Sequence, residues 1–216
     1  MLLTCPLCDS IKTSLFHKES KRPYNQCSQC ELIFVPKQFH LNSRDEKAIY
    51  DEHQNSPLDQ GYRTFLNRLV EPLRQALRHF NFPLNAKGLD FGSGPGPTLS
   101  VILEEQGYDM AIYDIFYANK PEALKQQYDF ITSTEVWEHL SDPKNVIQTL
   151  FDLGKEKHIL GIMTKRIPPT DFPNWHYIKD PTHVTFFAEN TLKYIAKKYD
   201  YELLLPANDT AIFIKA

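Results

Sequence analysis

LDFGSGPG, Leu89 to Gly96, sets three glycines within five positions directly behind a short apolar run. Glycines gather where a chain must turn sharply or where a ligand sits against bare backbone. Outward from this loop, KGLDFG reads as a strand ending at Gly92. PTLSVILEEQG reads as the following helix, with Pro97 in the tolerated first turn and Gly107 as its stop. DMAIYD is then a second strand, ending at Asp114. Strand, glycine turn, helix, strand, acid is an arrangement that places a polar or anionic ligand at a helix N-terminus. It also sets a carboxylate 20 residues beyond Gly94, able to accept from ribose hydroxyls. The spacing is not that of a dinucleotide loop, which needs glycine where Pro97 stands. Asp90 beside the loop would repel a phosphate and suits a cationic ligand group.

The pattern Asp90-x-Gly92-x-Gly94-x-Gly96, with Asp114 behind it, resembles the S-adenosylmethionine loop of the class I methyltransferases. YDFITSTEVWEHLSDP, residues 128–143, resembles the fourth strand and following segment of that family. It is similar in particular to the branch holding the ubiquinone-pathway O-methyltransferases, where an acid-x-x-Glu-His segment follows the strand. HILGIMT looks like the fifth strand, AENTLKYIAKKYDYELLL like the last helix and sixth strand, and TAIFIKA like the seventh. The resemblance covers about residues 44–216. It implies an α/β, Rossmann-like, seven-stranded sheet, mainly parallel with its last strand antiparallel. It implies Asp90, Gly92, Gly94, Gly96 and Asp114 as cofactor contacts. Only 13 residues separate Asp114 from Tyr128. The usual second helix and third strand hardly fit there, so that edge is expected to be shortened. Ile115, Phe116 and Tyr117 are either apolar contacts to the adenine ring or plain loop residues.

The four cysteines form two pairs, Cys5-Pro-Leu-Cys8 and Cys27-Ser-Gln-Cys30, with 18 residues between them. This is the C-x2-C, spacer, C-x2-C spacing of a structural zinc site. Each two-residue gap aims two thiolates at one ion, and two such knuckles complete a tetrahedron with no open position. A segment of about 40 residues buries too little core to fold alone, so metal binding can supply its folding energy. The competing readings are disulfides, which a reducing compartment disfavours, and a redox C-x-x-C, for which the context is wrong.

The chain has 216 residues, 42% apolar, with a formal net charge of -3. That supports one core of about 150 to 180 residues plus a small appendage. The charge balance argues against general polyanion binding, so nucleic acid is not the expected partner. Residues 1–40 carry five Lys/Arg against three Asp/Glu, too slight an excess for an RNA-binding face. MLLTCPLCDS lacks the cationic and apolar regions of a secretory leader, and no run approaches the roughly 18 apolar residues of a membrane span. The expected setting is cytoplasmic. The expected divisions are a zinc ribbon over 1–40, a helical lid and linker over 41–80, and a methyltransferase domain over 81–216.

Within 41–80, Tyr62, Phe65, Leu66, Leu69, Leu73 and Leu77 fall at helical steps and form one apolar stripe. Pro72 is expected to kink that helix or start a second one. Tyr50, His53, Asn55, Asp59 and Tyr62 form either a lid over a ligand or an ordinary loop with helix caps. Residues 165–190, KRIPPTDFPNWHYIKDPTHVTFFAEN, form a long stretch without clear structure, and such loops usually have a job. Trp175, His176 and Tyr177 could hold an aromatic or sugar substrate, and Asp180 and His183 could orient or deprotonate a hydroxyl. Alternatively the loop is a stiff cover in which His183 caps the next helix.

Glu135, Glu138 and His139 stand at i, i+3 and i+4, so on a helix all three share one face. In the O-methyltransferases that the segment resembles, the matching acid, Glu and His are associated with a divalent metal, which implies Mg²⁺. The structural alternative has Glu138 and His139 bracing the helix and the cofactor loop. The candidate catalytic residues are therefore His183, His139, Glu135 and Glu138. The cofactor contacts are Asp90, Gly92, Gly94, Gly96, Asp114 and Ile115, and the zinc ligands are Cys5, Cys8, Cys27 and Cys30. The implied reaction is methyl transfer from S-adenosylmethionine to a small-molecule hydroxyl or amine. Two alternatives stand beside it. One is an rRNA base methyltransferase, since some of those begin with a zinc module containing C-P-L-C. The other is a non-catalytic zinc-ribbon interaction protein that only binds the cofactor.

Overall fold

A computed structural model describes residues 3–20, 22–52 and 55–215. In chain order its elements are β1 Thr13–Glu19, β2 Arg22–Cys27, β3 Ile33–Phe34, α1 Ser43–Tyr50, α2 Gln60–His79, β4 Lys87–Phe91, α3 Thr98–Glu104 and β5 Asp109–Tyr113. They continue as β6 Tyr128–Thr134, α4 Pro143–Asp152, β7 Gly154–Met163, β8 Thr185–Phe186, α5 Glu189–Tyr199, β9 Glu202–Ala207 and β10 Thr210–Lys215.

The main sheet runs β5-β4-β6-β7-β10-β9. Strands β4, β5, β6 and β7 are parallel, and β10 is antiparallel to both neighbours. After β5 the chain crosses back over β4 to form β6. The order therefore reverses at β4, and a crevice opens outside the carboxyl ends of the strands there. Among the described residues the sheet has six strands, one fewer than the seven expected. Between β5 and β6 lies only a single helical turn, Pro121–Lys125. Thirteen residues cannot build a crossover helix and a return strand, so the third strand is missing rather than shortened.

Alternation along the strands sorts the core into two layers. Phe130 of β6 and Ile212 of β10 pack with Leu66, Leu69 and Leu73 of α2 and Ile102 of α3. Their neighbours Ile131 and Phe213 face the other way, toward Ile147 of α4 and Leu192 of α5. The α2 stripe is buried as its periodicity requires, and the helix runs unbroken through Pro72.

The cysteine segment is not a free appendage. Cys5, Leu7, Cys27, Leu32 and Phe34 are buried in the same cluster as α4 and α5. A second, four-stranded sheet runs β1-β2-β3-β8, and its last strand comes from the long loop after β7. Ile33 pairs with Phe186 and Phe34 with Thr185, antiparallel. A two-residue strand buried at both positions is invisible to periodicity, so sequence patterning passes over β8. Among the described residues no helix is long and apolar enough to cross a membrane.

Candidate functional site

The glycine loop leaves β4 at the reversal point, at the floor of a cavity of about 800 Å³. Gly92 and Gly94 both have positive φ, 79° and 64°, where a side chain is strained. They differ in surroundings. A Cβ on Gly92 would lie 2.2 Å from the Val136 side chain, whereas one on Gly94 would meet nothing within 4 Å. The backbone of Asn55, in the segment ahead of α2, rests against Gly96.

Asp114 is buried and holds the loop in shape. Its Oδ2 accepts from Gly94 N at 2.9 Å, and its Oδ1 accepts from Phe116 N at 2.8 Å and Tyr117 N at 3.0 Å. A carboxylate offers about four lone-pair directions, so one acceptor position, on Oδ2, is left for a ligand. The anchoring role was not foreseen from the sequence. Asp90 is fully buried in β4 and lines the same cavity. Burial pushes its carboxyl up to about 7, against the Thr132 hydroxyl, which donates to Oδ1 at 3.0 Å. Ile115, Phe116 and Tyr117 line the cavity beside Asp114.

The segment 50–62 divides between the two readings it invited. Tyr50, Asn55 and Tyr62 line the cavity. Asp59 caps α2, its carboxylate accepting from Gly61 N and Tyr62 N. His53 lies outside the described residues. Helix α1 contributes Ser43 and Glu46, and the Tyr117 hydroxyl donates to Asp51 at 2.7 Å, tying the end of α1 to the loop after β5.

Glu135, Glu138 and His139 do not share a helix face, which corrects the expectation drawn from their spacing. Glu135 closes β6 in the left-handed region at φ 52°, and only one short turn, Trp137–His139, follows. A strand that must stop and turn within two residues cannot start a full α-helix, so the three side chains diverge. Trp137 goes into the core and stacks on Phe213 at 5.9 Å. Glu135 lines the cavity. Burial, and then Glu138, push its carboxyl up to about 9. Glu138 is fully buried. Its Oε1 accepts from the Tyr177 hydroxyl, while Oε2 finds no partner at hydrogen-bonding geometry among the described residues.

What the fold assembles instead is Glu138, His139 and His183, with ligand atoms within 4.8 Å of one another. The rings of His139 and His183 lie 4.8 Å apart. His183 Nδ1 is 2.7 Å from the Tyr177 carbonyl, which can only accept, so Nδ1 carries the proton and Nε2 is the basic nitrogen. Burial, and then His139, lower its pKa, which keeps the imidazole neutral. His183 caps no helix; α5 is capped at Ala188. Two imidazoles and one carboxylate already engaged by Tyr177 are a poor match for Mg²⁺, which takes oxygen ligands in octahedral geometry.

Of the loop residues read as a substrate wall, Asp180 and His183 line the cavity, and Trp175, His176 and Tyr177 do not. Tyr177 is buried with Trp175 packed at 4.8 Å, and His176 lies 3.1 Å from Lys165 Nζ. An aromatic triplet in a proline-rich loop reads equally as a grip or as packing, and here it packs. A second cavity of about 420 Å³ shares Ser43, Glu46, His139 and Ser141 with the first and is also lined by Lys37 and His40.

The four cysteine sulfurs lie within 4.8 Å of one another, with Cys5–Cys30 and Cys8–Cys27 each at 3.6 Å. Four thiolates at about 2.3 Å from a central zinc would stand about 3.8 Å apart, so the donor set and its spacing fit a closed tetrahedral site.

Residues 59–205 match the sequence profile of a family described as methyltransferase domain. No curated protein matches the chain. Among solved structures, magnesium protoporphyrin IX methyltransferase from Synechocystis PCC 6803 with bound SAH is 13% identical. The match covers 81% of this chain and 95% of that chain, at TM-score 0.53. The same enzyme with bound SAM is 14% identical over 82% of this chain and 93% of that chain, at TM-score 0.50. A SAM-dependent methyltransferase from Aquifex aeolicus is 16% identical over 68% and 89%, at TM-score 0.45. At such identities the likeness is one of fold.

Proposed function

The chain belongs to the methyltransferase domain family, and from that premise we propose that it transfers a methyl group from S-adenosylmethionine to a hydroxyl or amine of a small molecule. The observation that carries the proposal is the open backbone at Gly94. It is anchored to Asp114 and faces the same cavity as His139 and His183. Gly92 to Gly96 and the remaining acceptor position of Asp114 would hold the cofactor. Asp90 offers a carboxylate to a cationic group, and Ile115 supplies apolar contact. When bound, S-adenosylmethionine supplies an electrophilic methyl carbon on a sulfonium.

The protein's share is alignment and proton removal. Nε2 of neutral His183 would take the proton from the acceptor's hydroxyl or amine, whose lone pair would go to the methyl carbon while the pair of the carbon–sulfur bond stays on the departing thioether. The imidazolium so formed is stabilised by Glu138 and by Asp180, whose Oδ2 lies 3.7 Å from Nε2. The cavity volume, together with the adjoining one, leaves room for an acceptor beside the cofactor. Zinc at Cys5, Cys8, Cys27 and Cys30 is the structural metal of this reading, and the sulfur spacing supports it.

Calorimetric titration with S-adenosylmethionine, then incubation with a small-metabolite extract and a search for a methylated product, tests the proposal. Saturable binding followed by a methylated small molecule is expected. Absence of binding to zinc-loaded, folded protein would overturn it.

A further inference from the structure

We infer that Arg22, carried by the cysteine segment, is a positioning residue for methyl transfer, holding the corner that carries Asp180 and His183. The inference rests on the methyltransferase reading of the cavity. Arg22 opens β2 and crosses to the long loop after β7. Its Nη1 donates to the carbonyls of Ile178 at 3.4 Å and Asp180 at 2.8 Å. Its Nη2 donates to Pro181 at 3.2 Å and to His183. Four carbonyl oxygens of one tight corner therefore converge on a single guanidinium.

Converging carbonyl dipoles repel one another, so donors at their centre stabilise this backbone shape, and a charged donor does so most strongly. The corner has its own turn, in which the Thr182 amide and hydroxyl donate to Asp180 Oδ1 at 2.8 Å and 2.5 Å, but these bonds leave the carbonyls of Pro181 and His183 to Arg22. Within it the His183 amide reaches the Asp180 carbonyl at 3.3 Å, and Pro181 has no N–H to give. A planar fork of five donors can reach four carbonyls at once, whereas an ammonium on a flexible stem cannot do so in this geometry.

The clamp is backed on both sides. The Tyr24 hydroxyl donates to the Ile178 carbonyl at 2.9 Å, and Val35 N donates to Val184 O at 2.8 Å. Val184 N in turn donates to the Glu138 carbonyl at 2.7 Å, and the Thr185 hydroxyl to that of Trp137 at 2.7 Å. Arg22 thus reaches the acceptor side of the site from outside the cavity, through His183 rather than through the cofactor loop.

The test uses zinc-loaded, full-length Arg22→Ala and Arg22→Lys, with three readouts. The first is S-adenosylmethionine affinity by calorimetry. The second is hydrogen–deuterium exchange over residues 176–186, against β4, β6 and β7. The third is methyl transfer to the metabolite extract, with and without millimolar guanidinium. Arg22→Ala is expected to keep cofactor affinity within about threefold. Its exchange in 176–186 should rise at least about tenfold while the central strands hold. Turnover should fall about 100-fold at unchanged KM for S-adenosylmethionine, the scale for a misplaced reacting group, and guanidinium should restore part of it. Unchanged exchange in 176–186 overturns the inference, as does a parallel loss of cofactor binding. If Arg22→Ala does not fold, Arg22→Lys decides: wild-type exchange and turnover in that variant overturn the inference, and a selective loss of both supports it. If the wild-type protein binds cofactor but methylates nothing, the methyltransferase reading fails, and with it the role in transfer; the exchange result then shows separately whether Arg22 holds the corner.

Discussion

Gly94→Ala separates the two things a glycine loop can be built for. The residue sits at φ 64°, and an added Cβ would meet no protein atom within 4 Å. The folded state therefore bears only the left-handed backbone penalty of an L-residue, about 1–2 kcal/mol. At about 2–4 °C per kcal/mol for a chain of this size, the melting temperature should fall by about 2–8 °C. The added methyl points into the cavity, where the cofactor is proposed to meet bare backbone, so affinity for S-adenosylmethionine should fall at least about tenfold. Gly92→Ala is the control. It bears the same backbone penalty, but its Cβ would lie 2.2 Å from Val136, which adds roughly 1–3 kcal/mol of overpacking. Val136→Ala in the same chain should return part of that increment. Differential scanning calorimetry and isothermal titration of the three variants give every number required. Undiminished cofactor binding by Gly94→Ala would refute the reasoning, because the loop would then not be where the ligand lies. Equal destabilisation by the two glycine variants would refute the steric argument.

Asp114→Ala should weaken S-adenosylmethionine binding by about 1.5–3 kcal/mol, roughly 10- to 150-fold, and also raise exchange at Gly94, Phe116 and Tyr117, whose amides it now accepts. The pH dependence of stability should carry the mark of Asp90. Its carboxyl rises from 3.8 to about 7 on folding, so the native state binds more protons in that window and stability is lost as pH climbs through it. Three units at 1.36 kcal/mol each set an upper figure of about 4 kcal/mol, and Asp90→Asn should flatten the profile of urea midpoints between pH 4 and about 7; an unaltered profile would exclude Asp90 as its source. Tyr177→Phe leaves Glu138 Oε1 without its buried donor and should cost about 1–3 kcal/mol in thermal unfolding with cofactor affinity intact. Elemental analysis should find about one zinc per chain; a value near zero in reduced, folded protein would remove the ribbon reading. Cys27→Ser should loosen not only residues 1–40, as a separate core would allow, but also residues 176–186, since β3 of the first pairs with β8 of the second.

The sheet was legible because its signals are local. KGLDFG, DMAIYD and TAIFIKA each carry their own pattern of strand and stop, and the short gap between Asp114 and Tyr128 foretold trouble at one edge. What stayed hidden depends on contacts that no window spans. Glu135, Glu138 and His139 were grouped by helical spacing, and the left-handed turn at Glu135 undid that spacing. His183 joins Glu138 and His139 only because the loop after β7 folds back over β6. Nothing in the sequence marks Arg22 among its neighbouring charges, since its four partners are backbone carbonyls and leave no residue-type signature. The cysteine spacing reports ligand geometry and says nothing of what the segment packs against, which is α4 and α5.

The partnership of β3 with β8 also sets an order of events during synthesis. Arg22 and Ile178 are 156 positions apart. At about 5–20 residues per second, the ribosome needs roughly 8–30 s to deliver the second partner after the first has emerged. The two cysteine knuckles have that interval to come together while one edge of the small sheet is still open. The corner that carries Asp180 and His183 is therefore laid onto a platform already made. A chain whose cysteine segment had not yet folded would reach its last residues without β3 in place to receive β8 and the neighbouring His183.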